Sequence, residues 1–187
     1  MLKNFLENNR DITDLKDRFF VIPNGYDPDD FKHVHLGPSS AISSNDSFTI
    51  TYTGSFYGRR KPDIFFNALG QLIAENKINK DNIHVKLIGN FKTEQIDQIL
   101  EKYALKGVVD ILPYMDHDQC ILNMAASDCL LLIEGAGPGA EAFYTGKVFE
   151  YMVAGRPILA IIPQHGAAAQ LIKETNTGLI SDCTDLH

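Results

Sequence analysis

Residues 129–162 read CLLLIEGAGPGAEAFYTGKVFEYMVAGRPILAII, and the reading of this stretch decides the fold. Cys129 to Ile133 is an unbroken apolar run of the kind that forms a strand covered on both faces, and Ile158 to Ile162 is a second. Between them Gly135, Gly137 and Gly139 mark a loop, with Pro138 among them. Val148, Phe149, Met152 and Val153 then fall on one helical face, and Gly155 stands where that helix stops. A glycine-rich loop between a buried strand and a helix start is where α/β proteins hold phosphates, because free backbone N–H groups and the helix dipole point at the anion. Lys147 lies at the helix start and Glu150 one turn further on. A cation for a phosphate and a carboxylate for a sugar hydroxyl make a nucleotide-binding pair.

Working outward, the same alternation recurs. Strands are expected at 48–53, 83–88, 108–112, 129–133, 158–162 and 178–181. Helices are expected from Pro62 with apolar pairs every four residues, over Thr93–Lys106 closed by Gly107, after an Asp116/Gln119 capping box, and near 166–174. Short connections between alternating periods imply parallel strands joined by right-handed crossovers. The expected fold class is α/β, a Rossmann-like doubly wound parallel sheet, whose ligands sit at the carboxyl ends of the strands.

The segment before residue 48 is less regular. Residues 1–18 read as an N-terminal tail or interdomain remnant, and 19–187 as one nucleotide-binding domain. A short strand is expected at 19–22, a turn at 23–25 and a helical turn at 27–31. His33 and His35 would share one face of a strand, although no third metal ligand accompanies them. Leu36 to Asp46 is rich in Ser, Pro and Gly and reads as a surface linker.

Composition narrows the function. The chain has 187 residues and 44% hydrophobic content, ordinary for a globular domain with a real core. The net charge of −7 argues against general affinity for nucleic acid or anionic membranes. No apolar run reaches the roughly 20 residues of a membrane helix. The 3 cysteines include none at CxxC spacing, which suits a reducing compartment. An anionic ligand needs a local basic cluster, and Arg59-Arg60-Lys61 is the only run of three cations. It follows Gly54-Ser-Phe-Tyr-Gly58, which has neither the G-x-G-x-x-G nor the G-K-[ST] spacing. Gly89 and Asn90 follow the second strand. Tyr114 follows the third, placed either to stack on a base or to pack over the sheet edge. Glu134 ends the fourth strand, where a salt bridge or a functional role is open to it. Glu150, close to the buried face, needs a hydrogen-bonding partner, either a ribose hydroxyl or Arg156. His117 and His165 read as surface histidines. No nucleophile triad, zinc spacing or close carboxylate pair emerges, so binding is better indicated than bond breaking.

Four stretches in order resemble the C-terminal domain of the family 4 retaining glycosyltransferases of the GT-B fold. They are VIPNGYD (21–27) with Phe31; YTGSFYG (52–58) with Ala68 and Leu69; LIG (87–89); and KVFEYM (147–152) with GRPI (155–158). The match covers most of residues 19–181. The resemblance implies a donor site for a nucleotide diphosphate sugar, with a hexose transferred to an acceptor in cell-surface polysaccharide or glycan synthesis. Glu150 would bond the ribose, while Thr145, Gly146, Lys147 and Val148 would bind diphosphate and sugar. The first loop would hold the diphosphate through Gly54, Ser55, Arg59 and Arg60, with Gly89, Asn90 and Tyr114 completing the site. Arg60 and Lys147 would be the catalytic cations. In register, Ser55 stands where relatives carry arginine and Arg60 where they carry lysine. Ala142 takes the place of a second acidic residue, with Glu141 beside it for sugar contact. The resemblance further implies a separate N-terminal acceptor domain, no metal cofactor, and a cytoplasmic enzyme, peripheral to the inner face of the membrane at most. Alone, this chain would bind donor and transfer little. Two other readings stay open: a non-catalytic Rossmann-like binding or regulatory module, and a GT-B-type sugar-nucleotide epimerase.

Overall fold

The computed structural model describes residues 22, 24–34, 47–142 and 145–184. The expected strand at 19–22 and the linker at 36–46 lie outside these residues, apart from Ile22, which has no regular structure. Six strands, β1 (Phe48–Thr53), β2 (Ile83–Ile88), β3 (Val109–Leu112), β4 (Cys129–Ile133), β5 (Ile158–Ile162) and β6 (Gly178–Asp182), form one sheet in the order β3-β2-β1-β4-β5-β6. Every pairing is parallel. The helices are α1 (Asp63–Ala74), α2 (Thr93–Lys102), α3 (His117–Ala125), α4 (Gly146–Val153) and α5 (Ala167–Thr175).

Alternation along β4 shows why the sheet is covered on both sides. Cys129, Leu131 and Ile133 join a core with Phe65, Phe66 and Leu69 of α1 and Ile96 and Leu100 of α2. Leu130 and Leu132 point the other way, into a core with Ile121, Val148, Tyr151 and Ile172. Period-two exposure to opposite faces, with apolar residues at every position, is what a buried parallel strand requires. Strand order reverses between β1 and β4, which makes their carboxyl ends the topological switch point. Their ladder is short, joining only Ile50 to Cys129 and Thr51 to Leu130. Beyond it the Thr53 N–H is taken by the buried Tyr151 hydroxyl at 3.1 Å. Thus a side chain of α4 fills the split between the two strands.

Two local expectations need correction. A strand is expected at residues 33–35, but His33 lies in a turn and Val34 in a bend, while His35 lies outside the described residues. Helix α2 ends at Lys102, four residues before the expected limit. Ala104 adopts φ 56° there. The N–H of Leu105 donates to Leu100 O at 2.8 Å and that of Ala104 to Glu101 O at 3.2 Å, a Schellman closure with alanine in the position that favours glycine. Fully buried Leu105 makes the closure worth its strain. Ala104→Gly is therefore expected to raise stability by about 0.5–1 kcal/mol, read as a higher unfolding midpoint in urea with unchanged slope.

The other helix signals appear as expected. Asp116 Oδ1 accepts from Gln119 N at 2.8 Å to start α3, and Gly155 takes φ 68° beyond α4. Asp27 caps a 3-10 turn at Pro28–Phe31, whose Phe31 is buried in the second core.

Candidate functional site

The loops after β1, β2 and β3 meet the starts of α3 and α4 around a cleft of about 240 Å³. Gly54, Ser55, Gly89, Asn90, Tyr114, Lys147 and Glu150 all line it, so seven residues proposed from sequence are brought to one place. Its floor depends on glycine. Gly54 has φ 113° and Gly89 φ 153°, and a Cβ on Gly89 would lie 2.8 Å from the Gly54 carbonyl carbon. Two backbones cross here with no room for a side chain. The GSFYG loop is held from below by Tyr52, which is buried, donates to Ser55 O at 3.2 Å and stacks on Phe56 at 4.6 Å.

Lys147 reaches back over this loop. Its Nζ sits 4.7 Å from the centre of the Tyr52 ring, and a Cβ on Gly54 would come within 2.8 Å of its Cε. Burial pulls its pKa down to about 8, the Arg60 guanidinium adds to this, and the Glu134 and Glu150 carboxylates oppose it. No salt bridge neutralises Lys147 among the described residues. A desolvated cation in a cleft is a candidate group for holding an anion.

Arg60 is not a second free cation in the cleft. Its Nε and Nη2 both donate to Glu134 Oε1, at 3.0 and 2.8 Å, and its side chain is only 12% exposed. It also donates to the Tyr57 hydroxyl. Of the two roles open to Glu134, the ion pair is the one observed. Arg59 turns away altogether. Its Nη1 donates to Pro138 O at 3.1 Å, and it lines a different cavity, of about 530 Å³, with Lys61 and Glu134. Gly135 and Gly137 serve this arrangement: Cβ atoms there would meet Arg59 Cβ and Nη1, each at 2.7 Å. The glycine-rich loop therefore wraps an arginine.

The remaining proposed residues sit at the edges. Thr145 is buried and precedes α4 without a side-chain cap, and a Cβ on Gly146 would meet open space. First-turn N–H groups of α4 thus have no side-chain acceptor from Thr145. Val148 is fully buried in the second core, so only its backbone is near the helix start. Glu141 is exposed in a 3-10 turn at Ala140–Ala142, packed by its backbone near Gly166, and does not line the cleft. Tyr114 is 81% exposed on the rim, free of the sheet edge, as a stacking platform needs to be. The alternative partner Arg156 forms no ion pair with Glu150 among the described residues; its Nε donates to Ala125 O at 2.8 Å.

Three contributors were not anticipated. His117 Nε2 stands 3.5 Å from Glu150 Oε1, so the surface histidine is a cleft residue. Cys120 lines the same cleft, and burial pushes its thiol pKa up. Tyr151 positions α4 against β1 through bonds to Thr53 N and Oγ1. The sequence signal for His117 was its position, one residue after a helix cap at a strand's carboxyl end. Tyr151 carried only an aromatic at a core position. Among the described residues no group of acidic, histidine or cysteine side chains could hold a metal ion, and no helix is long and apolar enough to cross a membrane.

No protein-family model matches the chain, and no curated protein matches it. Solved structures do match its fold. A glycosyltransferase from Rickettsia africae superposes with TM-score 0.70 at 18% identity, covering 99% of this chain and 48% of that one. WaaG, a glycosyltransferase involved in lipopolysaccharide biosynthesis, gives TM-score 0.64 at 21% identity over 89% of this chain and 44% of that chain. Anabaena HepE, solved in complex with UDP and glucose, gives 0.61 at 18% identity over 87% and 43%. The chain spans less than half the length of each. Its six-stranded parallel sheet is the α/β, Rossmann-like architecture found in GT-B glycosyltransferases.

Proposed function

We propose that this chain is the donor-binding half of a nucleotide-sugar-dependent glycosyltransferase, the C-terminal domain of a retaining family 4 enzyme that moves a hexose in cell-surface glycan synthesis. The observation that carries the reading is Lys147: a desolvated lysine without a salt-bridge partner among the described residues, one helical turn from Glu150, in a cleft at the carboxyl ends of parallel strands. Two proteins of similar fold support such a donor: HepE was solved in complex with UDP and glucose, and WaaG is a glycosyltransferase involved in lipopolysaccharide biosynthesis. In this reading Tyr114 stacks on the base and Glu150 accepts from the ribose hydroxyls. Lys147 and the first-turn N–H groups of α4 hold the diphosphate. Positive charge there stabilises the leaving diphosphate as the glycosidic bond to the sugar breaks. Arg60 contributes through the field it adds at Lys147. A further domain supplies the acceptor, and donor binding is the activity expected of this chain alone.

Titration calorimetry with UDP and with GDP tests the proposal. One of them is expected to bind, and Glu150→Ala to weaken it about 10- to 100-fold, the range of a hydrogen bond to a charged group. Absence of binding by both nucleotides, or indifference to Glu150→Ala, would sink it.

A further inference from the structure

We infer that His117 is a positioning residue: it sets the Glu150 carboxylate for the ribose and ties that carboxylate to the turn at residues 28–31. The inference rests on the donor-site reading and adds a residue and a linkage to it. Three groups distant in sequence meet here. His117 Nε2 lies 3.5 Å from Glu150 Oε1, and its Nδ1 lies 3.4 Å from Asp30 Oδ2 on the opposite side of the ring. Both distances are at the long limit for hydrogen bonds. Both ring nitrogens face carboxylate oxygens, one from the turn and one from α4.

The neighbourhood explains why Glu150 needs such a partner. Asp116 and Asp118 flank His117 on its own helix, Asp29 and Asp30 come from the facing turn, and Lys147 reaches Glu150 from within α4 through charge alone. Asp29 is already paired with Lys32 at 2.7 Å. His117 is thus the one group in ion-pair contact with Glu150 among the described residues. It engages Oε1. Oε2 has no protein partner among the described residues and is left to accept from a ligand in the cleft that both residues line. A carboxylate fixed through one oxygen presents the other in a defined direction, which is the requirement for selecting a vicinal diol.

The test separates aiming from folding. Affinities of the full chain for UDP, GDP and their 2′,3′-dideoxy forms are measured for wild type, His117→Ala and His117→Gln. Wild type should prefer the ribonucleotide about 10-fold or more. His117→Ala should reduce that preference to about 3-fold or less while leaving the dideoxy affinity unchanged, and His117→Gln, which keeps a donor near Glu150, should restore part of it. His117 is half-exposed, so both variants are expected to fold. Equal weakening of the ribo and dideoxy forms would reduce His117 to a structural tie and overturn the inference. So would full retention of the preference in His117→Ala. If wild type binds neither diphosphate, the donor-site reading itself fails. If it binds both sugar forms equally, the ribose role of Glu150 falls and the positioning role with it.

Discussion

Lys147→Met is expected to make the protein more stable at neutral pH and nearly blind to nucleotide diphosphates. The native environment draws this lysine from the ordinary 10.5 to about 8, first by burial and then by Arg60. A base whose folded pKa is depressed disfavours the fold wherever both states are protonated. Below about pH 8 that cost is present in full; between about 8 and 10.5 the native state has released its proton while the unfolded chain still holds one, so wild-type stability rises with pH. The gap corresponds to about 3 kcal/mol. Methionine keeps the stem and drops the charge, losing only the contact with Tyr52, so a net gain of about 2 kcal/mol at pH 7 is expected. Thermal unfolding at pH 7 and 9.5 should show the variant ahead at the lower pH and the difference closing at the higher. UDP or GDP affinity should fall about 100-fold, because a charge-assisted contact to phosphate disappears from a poorly solvated site. For wild type, affinity should decline above about pH 8 as free Lys147 deprotonates. A variant that loses stability would mean that the lysine is held for packing, and the anion-site reading of Lys147 would fail.

Gly89→Ala should be the most damaging single substitution in the cleft. The new Cβ would sit 2.8 Å from the Gly54 carbonyl carbon and 3.2 Å from its Cα, both backbone atoms with nowhere to go. Its φ of 153° adds strain for any L side chain. Overpacking and strain together suggest a loss of about 3 kcal/mol or more, roughly a 10 °C fall in melting temperature for a chain of this size. Nucleotide binding should vanish even at temperatures where the variant remains folded, since Gly54 and Lys147 lean on the same crossing. Calorimetric unfolding beside a nucleotide titration at 15 °C checks both parts. A stable variant that still binds would show that the crossing is not needed.

Sequence periodicity carried most of the architecture. Apolar runs such as Leu130–Leu132 and four-residue apolar pairs such as Ile64/Phe65 and Ala68/Leu69 report burial directly, so all six strands and five helices could be placed. The error in α2 arose because Ala104 enters the left-handed region without a glycine to announce it. In the site, residues at strand ends and helix starts were legible because topology alone brings them together. The three cations 59–61 were harder. They read as one cluster, yet the chain turns tightly there: Gly58 has φ 58°, and Arg60 N bonds Tyr57 O at 3.0 Å. Successive side chains consequently leave in different directions, Arg59 to Pro138 and Arg60 to Glu134. His117 and Glu150 became neighbours only through packing of α3 beside α4, which no local pattern records.

The short ladder between β1 and β4 has a mechanical consequence. Tyr151 bolts α4 to the end of β1, and the Gly54–Gly89 crossing locks β1 to β2. Lys147, Glu150 and the GSFYG loop are thereby tied to one another through β1, on one side of the cleft. In the donor-site reading, differently sized bases then meet residues 113–117 across the cleft, where Tyr114 stands in solvent and His117 Nε2 lies 3.5 Å from Glu150 Oε1.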